Sequence, residues 1–367
     1  MSILDTGIKN VRNVQRYTFG PGSLNELPQL LAPLRTAKED AVVFFVDEFF
    51  QSWLDINSRL STGENDRVIY VPTTDEPSTE QVDQIVANLQ ADGVKMPAAI
   101  VGMGGGITLD IAKAVANLLT NQGLAEDYQG WDLLKVPAIF KVAIPTISGT
   151  GAEATRTCVM TNKRTGIKLG MNSDFTVYDQ IVMDPDLTQT VPRNQYFYTG
   201  MDAYIHCVEA LAGSYRNAIG DAYSRETINL CRQVFLDEDM MSNLNRERLM
   251  VASYLGGCAI ATSYVGLVHP FSAGLSVVLG IHHCVANCIT MRAMQPYYPE
   301  AYQEFWEIVT QQGIQIPEGV ARNLSDDQYD CLFSATTIHQ KPLTNALGEA
   351  YHEVLTKDNV RSMFEMM

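Results

Sequence analysis

The sequence changes texture near residue 190, and that change limits the fold more than any other feature. Before it, short apolar bursts alternate with amphipathic helical stretches. AVVFFVDEFF (41–50), RVIYVPTT (67–74) and AAIVGMGGG (98–106) each begin as strands, and the last ends in glycines. STEQVDQIVANLQADG (78–93) has helical spacing, and FKVAIPTISGTG (140–151) supplies a further strand and turn. Strands alternating with helices predict a parallel sheet with crossover helices. After residue 190 long amphipathic segments take over, such as NQYFYTGMDAYIHCVEALAGS (194–214) and GDAYSRETINLCRQVFLDED (220–239), and strand signals nearly vanish. A chain of 367 residues also exceeds the usual size of one core. The reading is an α/β domain with a parallel sheet over residues 1–185, followed by an all-α domain over residues 186–367.

Composition narrows the function. A formal charge of −16 opposes non-specific binding to nucleic acid, whose phosphates would be repelled. It leaves room for a small anionic substrate in a local basic pocket. No run of about 18 apolar residues occurs, so no membrane span is expected. The opening MSILDTGIKNVRNVQRY lacks the charged-then-apolar layout of a secretory signal. Seven cysteines, an odd number without a CxxC pair, read as reduced and mostly buried thiols in a cytoplasmic protein.

Two loops are suited to a dinucleotide. VGMGGGITLDIAKAVANLL (101–119) passes from a strand through Gly104, Gly105 and Gly106 into a helix containing Thr108 and Asp110. N–H groups at a helix start attract phosphate, and glycine permits close approach. The spacing is not G-x-G-x-x-G, and a plain strand-to-helix turn has the same composition. IPTISGTGAEATR (144–156) places Thr146, Ser148 and Thr150 after the next strand, where they suit a diphosphate or equally a helix cap. Asp47 ends an apolar strand, where a carboxylate accepts from ribose hydroxyls and repels a 2′-phosphate, favouring NAD over NADP. An exposed strand-end Asp is the plain alternative.

Four of the six histidines fall between residues 206 and 283. Asp202 and His206, four apart, share a helical face. His269 and His283 would lie roughly 21 Å apart on one unbroken helix at 1.5 Å per residue. Pro270, Gly274 and Gly280 lie between them and can bend the chain, bringing the two histidines together. One carboxylate and three imidazoles then make a four-ligand site for Zn²⁺ or Fe²⁺, a set that suits both ions. His282 competes with His283, because periodicity does not separate neighbours. His339 and His352 sit in polar helical sequence and read as structural or surface residues. Cys207, Cys284 and Cys288 read as small buried packing.

These pieces together resemble the iron-containing alcohol dehydrogenase family, related to dehydroquinate synthase and glycerol dehydrogenase, over roughly residues 15–300. FGPGSLNELPQLL (19–31) looks like the family's opening hairpin and helix, and GMGGGITLDIAK (102–113) is similar to its GGGSxxDxAK loop. PTISGTGAEAT (145–155), MDPDLTQTVP (183–192), GMDAYIHCVEA (200–210), GLVHPFSAG (266–274) and HHCVANC (282–288) match later family segments in order. The resemblance implies a dehydroquinate synthase-like fold and puts Asp202, His206, His269 and His283 on the family's metal ligands. It implies NAD on the glycine loops, Lys168 near the cofactor, a homodimer, and hydride transfer from an alcohol polarised by the ion.

Three departures stand out. Ile107 replaces the serine of the loop, although Thr108 follows with a hydroxyl. Ala273 stands where the family usually has a histidine near the nicotinamide, so a proton relay there is absent or moved. The C-terminal part is short, and IHQKPLTNALGEAYHEVL (338–355) fits no general family pattern. With RTCVMTN, these features resemble the branch that oxidises the C8 primary alcohol of 3-deoxy-D-manno-octulosonate (Kdo) to an aldehyde. A PLP-dependent aminotransferase then consumes the aldehyde in lipopolysaccharide biosynthesis. Arg156, Lys168 and Arg292 are candidates to hold the carboxylate of such a sugar acid, or are solvated surface charges.

Overall fold

The computed structural model describes residues 3, 7, 8, 10–37, 40–53 and 55–367. Its contacts divide the chain into two compact units. One is Arg12–Ile147 with Ala152–Thr190, and the other is Val191–Met367 with Ser148–Gly151 and the described residues before Arg12.

Among the described residues the first unit holds nine strands: β1 (Arg16–Phe19), β2 (Val42–Asp47), β3 (Arg67–Val71), β4 (Ala99–Gly104), β5 (Gly130–Trp131), β6 (Lys141–Pro145), β7 (Thr157–Asn162), β8 (Ile167–Asn172) and β9 (Gln180–Met183). Six form a parallel sheet in the order β1-β9-β6-β4-β2-β3. The other three form a small sheet, β5-β8-β7, in which β7 and β8 pair antiparallel. This second sheet has no counterpart in the pattern of strands alternating with helices, because β5 has only two residues and β7 and β8 mix polar with apolar positions.

The helices of this unit are α1 (Leu27–Leu31), α2 (Ile56–Leu60), α3 (Thr79–Ala91) and α4 (Gly106–Leu118). Strand β2 shows why the sheet is covered on both faces. Successive side chains of a strand point to opposite sides. Val43 and Phe45 pack with Val82, Leu89, Ile111 and Val115 of α3 and α4, while Val42, Phe44 and Val46 pack with Leu24, Leu27 and Ile56. A strand apolar at every position before its terminal Asp47 has no water-facing side, as central strands of parallel sheets require.

The opening segment is not a hairpin. Among the described residues β1 pairs in parallel with β9, far along the chain, and the turn after it leads through a short 3-10 helix into α1. The buried Asp184, from the MDPDLTQTVP segment, holds that turn. Its oxygens accept from Gly22 N (3.0 Å), Leu24 N (3.0 Å) and Asp186 N (3.1 Å). Asp66 does similar work beside β2, accepting from Arg35 Nη1 (2.8 Å), Val42 N (2.8 Å) and Gly63 N (2.7 Å).

The second unit is helical: α5 (Arg193–Ala212), α6 (Ala218–Phe235), α7 (Asn243–Ser263), α8 (Val268–Leu279), α9 (His283–Thr290), α10 (Pro299–Gln312), α11 (Asp326–Thr337), α12 (Gln340–Leu347), α13 (Tyr351–Val354) and α14 (Lys357–Glu365). One apolar core, with Phe197, Phe235, Phe271, Phe305 and Phe364, joins them. Asn217, Ser242 and Ser325 cap the first turns of α6, α7 and α11. Among the described residues no single helix is long and apolar enough to cross a membrane.

Two outcomes follow. Asp184→Ala leaves three buried or half-buried N–H groups unpaired and should lower unfolding free energy by about 3 kcal/mol in urea titration. Burial raises the Asp66 pKa, but Arg35 and the two backbone N–H groups outweigh burial and hold it below the usual carboxylate value. A depressed folded value stabilises the fold above the unfolded value of about 3.9 and is lost as pH falls through the folded one. Arg35→Gln should therefore cost about 1–2 kcal/mol at pH 7. The difference from wild type should shrink as pH drops below about 4, read from denaturation midpoints across pH.

Candidate metal centre and nucleotide loop

In the α/β unit the chain runs from β2 outward to β3 and then returns to β4 on the other side of β2. The strand order reverses between β2 and β4, and ligands of open α/β sheets bind at the carboxyl ends of such a switch point. Asp47 ends β2 and Gly104 ends β4. A Cβ on Gly104 would lie 2.6 Å from Thr108 Cβ and 3.1 Å from Asp47 Cβ, so only glycine fits between them. Helix α4 starts at Gly106 with Gly105 as N-cap and no side-chain cap. Its first N–H groups are thus left for an anion, with the helix dipole behind them. Thr108 Oγ1 is buried and without a hydrogen-bond partner, and Thr146 N donates to Gly104 O (3.0 Å). Asp47 accepts from Phe49 N (3.0 Å), and burial raises its pKa.

The remaining residues of the sequence-derived cofactor set lie elsewhere. Asp110 Oδ2 accepts from Val159 N (2.9 Å), and Oδ1 lies 3.9 Å from Lys113 Nζ. Burial pushes the Asp110 pKa up to about 6 against the pull of Lys113. The buried Lys113 donates to Thr155 O (3.0 Å) and Thr157 O (2.7 Å), tying α4 to the chain entering β7. Lys168 pairs with Glu76 at 3.3 Å. Ser148 and Thr150 belong to the helical unit, where the neighbouring Gly149 lies against Thr199 of α5.

In the helical unit, α5 brings Asp202 and His206 onto one buried face. Helix α8 keeps Pro270 in its first turn and Gly274 within its length. The chain breaks only at Gly280, whose φ of 68° closes α8 in the left-handed region. Helix α9 then begins at His283. His282 becomes its exposed N-cap, whereas the His283 ring lies 5.3 Å from that of His269.

Asp202 is the centre of this cluster and is fully buried. His269 Nε2 lies 3.3 Å and His206 Nε2 3.4 Å from its Oδ1, and His283 Nε2 lies 3.9 Å from its Oδ2. Donor atoms of Asp202, His269 and His283 all fall within 4.8 Å of one another. His206 adds its contact with Asp202 and stacks on His269 at 4.6 Å. Ligands at about 2.1 Å around a tetrahedral ion stand roughly 3.4 Å apart, a spacing that Asp202, His269 and His283 approach, while His206 lies outside their three-residue group.

The electrostatics fit as well. Burial alone would raise the Asp202 pKa, but His206, His269 and His283 outweigh it and hold it well below the usual range. Burial lowers His206 to about 4, leaving it neutral and able to ligate. Burial also disfavours charge on His269, yet Glu209 and Asp202 on either side raise it to about 10. The cluster thus draws in positive charge. His269 Nε2 is buried and faces Asp202 Oδ1 at 3.3 Å.

Two contacting residues, Asn287 and Glu209, carry no role in the sequence reading, and Cys284, read there as buried packing, also touches Asp202. Asn287 Nδ2 donates to Asp202 Oδ1 (2.7 Å), and Cys284 Sγ donates to Oδ2 (3.7 Å). The buried Glu209 binds the far nitrogen of His269. Helical spacing would have flagged Asn287, four after His283, and Glu209, three after His206. Ala273 lies on α8 and offers no titratable group. His339 and His352 stay outside the cluster. The candidate carboxylate holders have internal partners: Arg156 joins Asp132 and Asp174, and Arg292 donates to Ile316 O (2.7 Å) beside Trp306.

The chain is similar to known proteins along most of its length. Residues 14–185 match the iron-containing alcohol dehydrogenase profile, and residues 196–329 match the C-terminal profile of the same family. Sulfoacetaldehyde reductase of Bilophila wadsworthia is 30% identical over 63% of this chain and 59% of its own. 1,3-Propanediol dehydrogenase of Klebsiella pneumoniae is 32% identical over 57% of this chain and 56% of its own. The chain thus spans less than two thirds of these relatives. The structure of sulfoacetaldehyde reductase from Bifidobacterium kashiwanohense in complex with NAD⁺ superposes with a TM-score of 0.78 at 21% identity, covering 97% of this chain and 98% of that one. With both profiles matched in order along the chain, the protein belongs to the iron-containing alcohol dehydrogenase family.

Proposed function

We propose that this chain is a divalent-metal, NAD-dependent oxidoreductase that interconverts a primary alcohol and an aldehyde, with the C8 alcohol of Kdo as substrate. The observation that carries the reaction class is the convergence of His206, His269 and His283 on the buried Asp202. When bound, the ion supplies Lewis acidity at the alcohol oxygen and the nicotinamide accepts hydride.

The residues divide the remaining work. Asp202, His206, His269 and His283 hold the ion, and Asn287 keeps the Asp202 carboxylate turned toward it. The N–H groups opening α4 receive the diphosphate, Thr108 offers its hydroxyl, and Asp47 accepts from ribose hydroxyls and disfavours a 2′-phosphate.

The narrower substrate rests on the unusual C-terminal segment. Asn345 of α12 donates to Ser263 O (3.1 Å) and Val265 O (2.9 Å) and accepts from Tyr215 N (2.8 Å). Tyr264, between those carbonyls, has a φ of 63° and packs against Tyr215 and Lys341. The segment that departs from the general family thus braces the loop leading into His269. Relatives named for sulfoacetaldehyde, itself an anion, support an acidic substrate within this family. A PLP-dependent aminotransferase would then consume the aldehyde in lipopolysaccharide biosynthesis, and the enzyme would act as a homodimer.

Metal content by mass spectrometry tests the centre: about one ion per chain in wild type and its loss in His283→Ala. No metal in wild type after anaerobic purification with added iron or zinc would overturn the proposal. NADH formation tests the substrate. Turnover with Kdo and not with 1,3-propanediol or ethanol is the expected result; turnover with simple alcohols alone would keep the reaction class and remove Kdo.

A further inference from the structure

Helix α5 presents a third buried acceptor on the face of Asp202 and His206. Glu209 follows Asp202 by seven residues and His206 by three, so all three line one side of the helix. It is fully buried. Glu209 Oε1 accepts from Val268 N (2.5 Å) and His269 N (3.4 Å), at the first turn of α8. Its Oε2 contacts His269 Nδ1. The opposite nitrogen of that ring, Nε2, lies 3.3 Å from Asp202 Oδ1. One imidazole is thus held between two carboxylates of the same helix. Gly266 leaves room for this, since a Cβ there would stand 3.2 Å from Glu209 Cβ.

Resting on the metal-centre reading above, we propose that Glu209 is the positioning residue that makes His269 a ligand. It accepts the hydrogen bond of Nδ1–H, so that Nε2 is the nitrogen left for the ion. A ligating histidine needs such an acceptor on its far nitrogen. Glu209 also adds a second negative charge, so that with Asp202 the protein charge balances a divalent ion.

Glu209→Gln preserves size and one acceptor but presents two incompatible choices. With the amide oxygen on Val268 N, the NH₂ group faces Nδ1 and drives the proton to Nε2, where it blocks ligation. With the oxygen on Nδ1–H, the NH₂ group faces the Val268 N–H. A pure helix-capping role would lower stability and leave metal binding as it was.

The test is zinc and cobalt affinity by competition with a chromophoric chelator, with the visible absorption of the Co²⁺ form as second readout. Glu209→Gln should bind zinc roughly 10–100-fold more weakly and alter the Co²⁺ spectrum. Equal affinity and spectrum in wild type and variant would overturn the role of Glu209 while leaving the metal centre standing. Failure of wild type to bind either metal would overturn the centre itself, and this inference with it. Should the variant not fold, ¹⁵N NMR of the histidine rings in zinc-loaded wild type decides. A protonated Nδ1 and a zinc-bound Nε2 on His269 support the assignment; a zinc-bound Nδ1 overturns it.

Discussion

A carboxylate sealed from water governs the helical unit. Asp202 is fully buried, and an unpaired charge there would be prohibitively costly. The imidazoles of His269 and His283, the Asn287 amide and the Cys284 thiol gather around it from α8 and α9, beside His206 of α5 itself. The positions of those helices against α5 are therefore tied to one side chain. A structural ion pair of this cost would be simpler as apolar packing. The gathering of these polar groups around one carboxylate is what the proposed cation site rests on.

The α/β unit stores its polarity differently. Its sheet is covered on both faces by apolar layers, and backbone N–H groups at the start of α4 carry the unmet demand. The glycines there remove side chains that would occupy the space between Asp47 and Thr108. Asp110 and Lys113, on the same helix, serve the fold instead, joining α4 to Val159, Thr155 and Thr157. One motif thus divides into a ligand-facing start and a structural remainder.

The motif segments follow the same division. MDPDLTQTVP turns out to be architectural, because Asp184 satisfies the N–H groups of the turn after β1. GMDAYIHCVEA is the reverse, with Asp202, His206 and Glu209 directed at the buried cluster. HQKPLTNALG sits between these roles. Its Asn345 satisfies carbonyls of the loop before α8 and so shapes the approach to His269 without touching it.

Local pattern alone determined much of this protein. Apolar runs such as VVFFV specified central strands, the 3.6-residue repeat specified α5 and α6, and the i, i+4 spacing placed Asp202 and His206 on one face. These depend on neighbours in the chain, which the sequence states outright. Tertiary structure decided the rest. Of three possible breakers between His269 and His283, only Gly280 interrupts the helix, since Pro270 falls in a first turn that tolerates it. That break rotates His283 inward and His282 out, a choice no periodicity contains. The partner of β1, the small β5-β8-β7 sheet and the hold of Glu209 on His269 likewise join residues distant in sequence. Such pairings are fixed by burial and hydrogen bonding in three dimensions, and only the folded chain brings those groups within reach.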